Sequence, residues 1–252
     1  MFEIIAIPAF RDNYIWAVRT AHEAVIVDPG DAVPVLDWLA RERVRLEAVL
    51  ITHHHSDHCG GLPALLARFS DLAVFGPAAE SITGVNRPLS GGERIRVLAR
   101  DIDVLAVPGH TRGHLAYRLD AALFCGDTLF GAGCGRLFEG TPEQMFAALE
   151  KIAALPDATR IYAAHEYTLQ NLAFAAQVEP HNAAIAARIE AAQACRAAGQ
   201  PTLPSTLAEE KATNPFLRYR VAAVAEAAHR RDPTAGSPVR VFAALRAWRD
   251  VF

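Results

Sequence analysis

The sequence predicts an α+β protein in which a domain of sheets and helices is followed by a small all-helical domain. Short β-rich runs alternate with helical patterns up to about residue 168, and Ala-rich helical patterns broken by prolines follow from there. With 252 residues, 52% of them hydrophobic, the chain can bury one large core and a smaller second one. We therefore expect a layered domain of residues 1–168 and a helical domain of residues 169–252.

Eight runs rich in β-branched and aromatic residues predict the strands of the first domain. In order, these runs are Glu3–Ile7, Tyr14–Arg19, Ala24–Val27, Ala48–Ile51, Asp103–Val107, Ala116–Leu119, Leu123–Cys125 and Ile161–Ala163. Apolar residues at helical spacing predict helices over Val33–Arg43 and Leu62–Phe69, and Thr141 followed by Pro142 predicts the N-cap and first turn of a helix through Ala154. Helices of the second domain are predicted over Leu169–Gln177, Ala183–Ala198, Val221–Arg231 and Val239–Asp250.

Composition and charge exclude several classes of protein. Residues 169–252 carry ten Lys/Arg and seven Asp/Glu, a net charge of +3, which leaves −6 for residues 1–168 and −3 for the whole chain. This lacks the basic excess of a nucleic-acid-binding protein, and no apolar run approaches the roughly 18 residues of a membrane span. Four cysteines without a Cys-x-x-Cys pair are typical of reduced thiols. We expect a cytoplasmic monomer that binds neither nucleic acid nor membrane.

A run of histidines, His53-His54-His55-Ser56-Asp57-His58, follows the predicted strand Ala48–Ile51. His53 and His55 are two residues apart, so they project the same way from an extended chain. Asp57 and His58 come from the bend that follows and can face a second point close by. Imidazole and carboxylate groups at this spacing indicate a metal site rather than a solvated polar loop.

Three more metal-competent side chains each follow a predicted strand. His110 follows Asp103–Val107, Asp127 follows Leu123–Cys125, and His165 follows Ile161–Ala163. Side chains at the carboxyl ends of different strands can converge on one edge of a layered fold. The five histidines and two aspartates suit zinc, and they also suit iron or manganese.

The chain resembles glyoxalase II, the hydroxyacylglutathione hydrolase family of the metallo-β-lactamase superfamily. The motifs that carry the resemblance stand at Thr52–His58, Gly109–His114, Gly126–Thr141, His165–Thr168 and Asn214–Arg218. The resemblance implies a four-layer αββα sandwich with a C-terminal all-α domain and a site for two divalent metal ions, zinc being expected. It implies that the first ion is held by His53, His55 and His110, the second by Asp57, His58 and His165, and that Asp127 bridges the two.

The activity implied by the resemblance is hydrolysis of S-D-lactoylglutathione to glutathione and D-lactate, the second step of methylglyoxal detoxification. A hydroxide bridging the metals would attack the thioester, with Asp57 and Asp127 as the catalytic carboxylates. The family's substrate contacts fall on Arg136, Phe138, Tyr167 and Arg218. At two of these the chain departs from the family, because Arg136 stands for lysine and Phe138 for tyrosine, and we expect altered affinity for glutathione.

Alternatives within the same superfamily are open. A persulfide dioxygenase would use one iron and would not need Asp57, His58 and His165, so their presence disfavours it. Another hydrolase of this fold, or a non-catalytic binding protein, is a further alternative, although the latter would be expected to have lost metal ligands. Two neighbouring residues receive supporting roles: Asp28 is expected to hydrogen-bond the backbone of the histidine loop, and His54 is expected to point away from the metals.

Overall fold

The structure, a computed structural model, describes residues 2–252 and divides into two compact units. The first unit comprises the chain up to Ala106 together with Arg112–Gly126, and the second comprises Val107–Thr111 together with Asp127–Phe252. All of the predicted strands and helices are present, with ends that differ by up to three residues. Among residues 2–252, no helix combines the length and the apolar character needed to cross a bilayer.

A six-stranded mixed sheet forms one layer of the first unit, and its strands follow chain order. They are β1 (Glu3–Ala9), β2 (Asn13–Arg19), β3 (Glu23–Val27), β4 (Arg45–Leu50), β5 (Ala73–Pro77) and β6 (Arg87–Leu89). Strands β1 to β3 are antiparallel, whereas β3 to β6 are parallel. Parallel neighbours need a crossover connection, which is usually a helix. The crossovers are α1 (Ala32–Glu42), between β3 and β4, and α2 (Ser56–Cys59) with α3 (Leu62–Arg68), between β4 and β5.

Both faces of this sheet are buried. Helices α1 and α3 cover one face, where Trp38 and Leu62 belong to the same apolar core as Ile26. An antiparallel sheet of β7 (Arg94–Val97), β8 (Arg100–Ala106), β9 (Leu115–Leu119) and β10 (Ala122–Gly126) completes the first unit. The fully buried Tyr117 of β9 donates its hydroxyl to the carbonyl oxygen of Ile51 at 2.7 Å, which ties this sheet to the end of β4.

The second unit is mainly helical. Its strands are the short pairs β11 (Leu129–Phe130) with β12 (Gly133–Cys134) and β13 (Arg160–Ala163) with β14 (Ser205–Thr206). Its α-helices are α4 (Pro142–Ala153), α5 (Thr168–Val178), α6 (Ala183–Ala197), α7 (Leu207–Thr213), α8 (Ala222–Arg231) and α9 (Pro238–Asp250). Buried aromatic rings join them: Phe216 lies 6.0 Å from Phe174 of α5 and 5.8 Å from Phe242 of α9, between ring centroids. A 3₁₀ turn, Pro215–Leu217, carries Phe216 into this core.

Several short elements are absent from the sequence prediction. Strand β6 contains Pro88, which sequence rules assign to an edge strand or to none, and here it is indeed at the edge of its sheet. Strand β7 is only four residues long and largely exposed. Helix α2 lies within the histidine run itself, so the segment from which ligands were expected turns into a helix at Ser56.

Each predicted metal ligand lies just beyond the carboxyl end of a strand. The strand β4 ends at Leu50, ahead of the histidine run, and β10 ends at Gly126, directly before Asp127. Likewise β8 ends four residues before His110, and β13 ends two residues before His165. The loops at these strand ends therefore contain the predicted metal ligands.

Candidate metal centre

The histidine loop of the first unit places three imidazole rings against one another. His53 and His58 are almost fully buried, and His55 is half-buried. The Nε2 atom of His53 lies 3.0 Å from the Nδ1 atom of His55, and the ring centroids of His53 and His58 are 4.0 Å apart. Ring nitrogens of His53 and His55 thus face each other, as two ligand atoms of one metal ion would.

The carboxylate of Asp28 holds this loop through hydrogen bonds. It accepts hydrogen bonds from the backbone N–H and the hydroxyl of Thr52, both at 2.7 Å, and it lies 3.0 Å from Nδ1 of His58. Because the carboxylate can only accept, Nδ1 of His58 carries the proton and its Nε2 atom presents a lone pair. Asp28 therefore selects the tautomer of His58 that can bind a metal, beyond the backbone contact expected from the sequence.

His54 contacts Glu80, which is not a predicted metal ligand. Its Nδ1 atom lies 2.9 Å from a carboxylate oxygen of Glu80, and Glu80 also accepts the backbone N–H of Gly113 at 2.9 Å. The adjacent Cys59 donates its thiol to the carbonyl oxygen of His54. Burial, with nearby carboxylates as a further cause, raises the pKa of Cys59 to about 11. Cys59 is therefore a protonated packing residue and not a thiolate ligand.

In the second unit, Asp127 lies between two histidines. One carboxylate oxygen is 3.4 Å from Nε2 of His110 and the other is 3.4 Å from Nε2 of His165. The Nδ1 atom of His110 is fixed by the carbonyl oxygen of Arg136 at 2.8 Å, so Nε2 is the lone-pair nitrogen. The ring of His165 is stacked on Tyr167 with 4.7 Å between centroids. Two carboxylate oxygens directed at two different imidazoles are what a bridging ligand requires.

The donor chemistry of these residues fits divalent metal ions. Groups of His and Asp side chains with ligand atoms close enough to hold an ion occur among residues 2–252, and together these groups contain all seven predicted ligands. Imidazole nitrogens with carboxylate oxygens suit zinc, iron and manganese alike.

A cavity of about 340 Å³ in the second unit adjoins Asp127 and His110. Three of the four predicted substrate residues line it: Arg136, Phe138 and Tyr167. Phe138 is 60% exposed and its ring is 5.2 Å from that of His110, in an edge-to-face arrangement. The cavity therefore combines two predicted metal ligands with aromatic and cationic walls.

Arg218, the fourth predicted substrate residue, is not among the residues that line this cavity. Its guanidinium donates two hydrogen bonds to the carboxylate of Glu179, at 2.6 and 2.9 Å, and a third to the carbonyl oxygen of Lys211. Glu179 is 7% exposed, so the pair joins α5 to the segment after α7 within the unit. The substrate contact that the family motif implies for Arg218 stays a prediction, and the hydrogen bonds described here join parts of the second unit.

Two arginines that sequence reasoning missed do line the cavity. Arg246 and Arg249 lie three residues apart on α9, and that spacing places them on one helix face. Asp250 bridges the group, because one of its oxygens is 3.2 Å from Nε of Arg136 and 2.9 Å from Arg246. Burial, and secondly the neighbouring Arg246, lower the pKa of Arg249 from its usual value. In the sequence, the spacing of Arg246 and Arg249 places both on one helix face. The same spacing is equally typical of an exposed helix surface, so it did not indicate a cavity.

Comparisons with known proteins show which families the chain is similar to. The sequence profile of the metallo-beta-lactamase superfamily matches residues 9–81 and 104–165, and that of the hydroxyacylglutathione hydrolase C-terminus matches residues 166–252. The chain is 56% identical to a hydroxyacylglutathione hydrolase of Dechloromonas aromatica, over the full length of both proteins. It is also 56% identical to one of Alkalilimnicola ehrlichii, over 99% of each.

A solved structure is similar as well. The crystal structure of the BLEG-1 B3 metallo-beta-lactamase superposes with a TM-score of 0.62 at 26% identity, covering 86% of this chain and 99% of that one. The predicted α+β class with a C-terminal helical domain is thereby confirmed as a metallo-β-lactamase fold. Full-length identity of this degree also confirms the predicted family: the chain belongs to the hydroxyacylglutathione hydrolases of the metallo-β-lactamase superfamily.

Proposed function

We propose that the protein hydrolyses S-D-lactoylglutathione, or a closely related 2-hydroxyacyl thioester of glutathione, to glutathione and the free 2-hydroxy acid. The observation that carries the proposal is the cavity of the second unit. A carboxylate directed at two histidines adjoins a space lined by three arginines. The first feature suits a pair of metal ions, and the second suits a substrate with two carboxylates.

We propose that seven side chains hold two divalent ions. His53, His55 and His110 would hold the first ion, Asp57, His58 and His165 the second, and Asp127 would bridge them; zinc is the expected metal, with iron or manganese as alternatives. When bound, two such ions acidify a shared water toward neutral pH and polarise the carbonyl group of the substrate. Asp28 and the Arg136 carbonyl oxygen keep His58 and His110 in the tautomers that this requires.

The substrate's charge supports the assignment of the arginines. Glutathione thioesters carry two carboxylates, and Arg136 and Arg249 can each donate paired N–H groups to one of them. Asp250 holds Arg136 and Arg246 in place in the absence of substrate. Phe138 and Tyr167 supply apolar walls for the acyl and cysteinyl parts. Because a thiolate is a good leaving group, with a thiol pKa near 8.5, no separate general acid is needed.

Family membership supports this activity over the persulfide dioxygenase alternative. The C-terminal profile that matches residues 166–252 is that of hydroxyacylglutathione hydrolases. We further propose that residues 1–168 act as the catalytic domain and residues 169–252 as the substrate-binding domain of a cytoplasmic monomer. All four cysteines are free thiols, which agrees with a reducing compartment.

Thiol release from S-D-lactoylglutathione by the purified, metal-loaded protein tests the proposal. We expect hydrolysis, and we expect Asp127→Ala to lose both metal and activity. Asp120→Ala is the matched control, because this exposed carboxylate pairs only with Arg100 among the contacts described and should change neither. A fully loaded protein that releases no thiol would contradict the thioesterase activity, whereas an Asp127→Ala protein of normal activity would contradict the bridging role.

A further inference from the structure

Asn13, the first residue of β2, contacts a predicted metal ligand. Its side-chain amide nitrogen lies 3.0 Å from a carboxylate oxygen of Asp57 and 3.4 Å from the backbone carbonyl oxygen of the same residue. Both partners are acceptors, so the atom that faces them must be the amide NH₂ group and not its oxygen. Asn13 is only 7% exposed, and the two residues are 44 positions apart in the chain.

Asp57 has a much less enclosed side chain than the adjacent predicted ligand, His58. Its carboxylate is 39% exposed, compared with 1% for the ring of His58. It lies in α2, a helix of four residues with no side-chain cap at its N-terminus. A short carboxylate side chain in such a place has several rotamers open to it, most of them solvated. His58, in contrast, is already held by Asp28.

We infer that Asn13 is a positioning residue that orients the Asp57 carboxylate for the second metal ion; this rests on the binuclear centre proposed above. The hydrogen bond from an amide to a carboxylate is charge-assisted on the acceptor side and holds one oxygen in place. The second bond, to the backbone oxygen, fixes α2 together with its side chain.

Support of a ligating carboxylate by a hydrogen-bond donor is worth roughly 10–100-fold in metal affinity. Because Asn13 contacts Asp57 and no other predicted ligand among the contacts described, the loss should fall on one ion. We therefore expect Asn13→Ala to weaken the binding of one of two metal ions by about 10–100-fold. Binding of the other ion should change by less than about threefold, since its predicted ligands keep their own supports.

The experiment is a titration of the metal-free full-length protein with Co²⁺ or Zn²⁺ in competition with a chelator, together with thermal unfolding of the metal-free state. Asn13→Leu is the second variant, since it keeps a side chain branched at Cγ but has no donor. Asn86→Ala is the control: Asn86 makes two hydrogen bonds to the backbone of the same sheet region, at 2.9 and 3.0 Å, and contacts no predicted ligand among the contacts described.

We expect both Asn13 variants to lose affinity for one ion while Asn86→Ala binds both ions normally. A purely structural role would lower the unfolding temperature of the metal-free protein and leave both affinities unchanged. That result, or a normal affinity in Asn13→Leu, would overturn the inference. These titrations contain no substrate, so they test metal binding independently of the activity. A wild-type protein that binds two ions here but releases no thiol in the separate activity assay would refute the proposed activity alone. A wild-type protein that binds fewer than two ions would refute the binuclear centre and this inference together.

Discussion

Replacement of Asp28 by asparagine should disable the histidine loop without changing its shape. The retained oxygen can still accept the backbone N–H of Thr52. The new NH₂ group, however, replaces the oxygen that now accepts from the Thr52 hydroxyl and from Nδ1 of His58. Two donors then face each other, and His58 can relieve the conflict by moving its proton to Nε2. That tautomer has no lone pair directed at the metal.

The magnitude follows from the burial of this network. Asp28 is 4% exposed, and each hydrogen bond to a buried charged group contributes about 1.5–3 kcal/mol. With partial relaxation of His58 we expect the metal-free protein to lose about 3 kcal/mol of unfolding free energy. For a chain of this size, 1 kcal/mol corresponds to a shift of about 2–4 °C, so the unfolding temperature should fall by roughly 6–12 °C. Metal affinity should fall by about 10–100-fold.

Thermal unfolding of the metal-free protein and a chelator competition measure the two effects separately. Asp31→Ala is the control. Asp31 lies three residues after Asp28 and caps α1, where its carboxylate accepts one hydrogen bond from the backbone N–H of Val33 at 2.9 Å. It should lose only about 1 kcal/mol and bind metal normally. If Asp28→Asn unfolds within about 1 °C of the wild type and keeps its metal affinity, Asp28 does not determine the tautomer of His58.

Three further perturbations test other parts of the structure. In Gly30→Ala the new Cβ atom would lie 1.9 Å from the backbone carbonyl oxygen of Asp57. Because the histidine loop would have to shift, both metal content and stability against urea should fall. Gly236→Ala is the control, since that position has open space around it, and it should change neither. Arg249→Ala should raise KM for the glutathione thioester about tenfold or more with kcat little changed, whereas Arg218→Ala should lower thermal stability and raise KM by less. Burial raises the pKa of the Cys134 thiol to about 11, from 9.0 for an unperturbed thiol, with Arg246 opposing the shift. The unfolded state therefore releases this proton first, so the stability that the group contributes is lost as the pH rises from 9 through 11, and urea midpoints at pH 8 and 10.5 should differ less in a Cys134→Ala variant.

The parts of the fold that the sequence predicts are those that local patterns determine. Strand β4 ends in apolar residues, with the first predicted ligand, His53, three residues beyond its end, and α4 begins with a capping box at Thr141 that is visible in the sequence. Strands β6 and β7 were missed because they are short, contain Pro88 or charged residues, and are stabilised by pairing with neighbours. Such pairing leaves no periodic signal in the chain itself.

The same distinction holds for the site. The positions after strand ends could be predicted because a strand's direction determines where its loop emerges. Arg249 could not, because its place at the cavity depends on how α9 packs within the second unit. Arg218 was assigned to the substrate by motif alone, and only the structure reveals Glu179, 39 residues away in the chain, as its partner. Long-range salt bridges of this kind have no sequence signature.

Under the proposed function, thioester hydrolysis depends on two metal ions held by the seven proposed side chains. The most direct measurement is thiol release from S-D-lactoylglutathione while zinc is added to the metal-free protein, with bound zinc counted at each step. We expect activity to rise to a plateau at about two ions per chain, as for a two-metal site. Full activity at one ion per chain, or no activity with both sites filled, would contradict it.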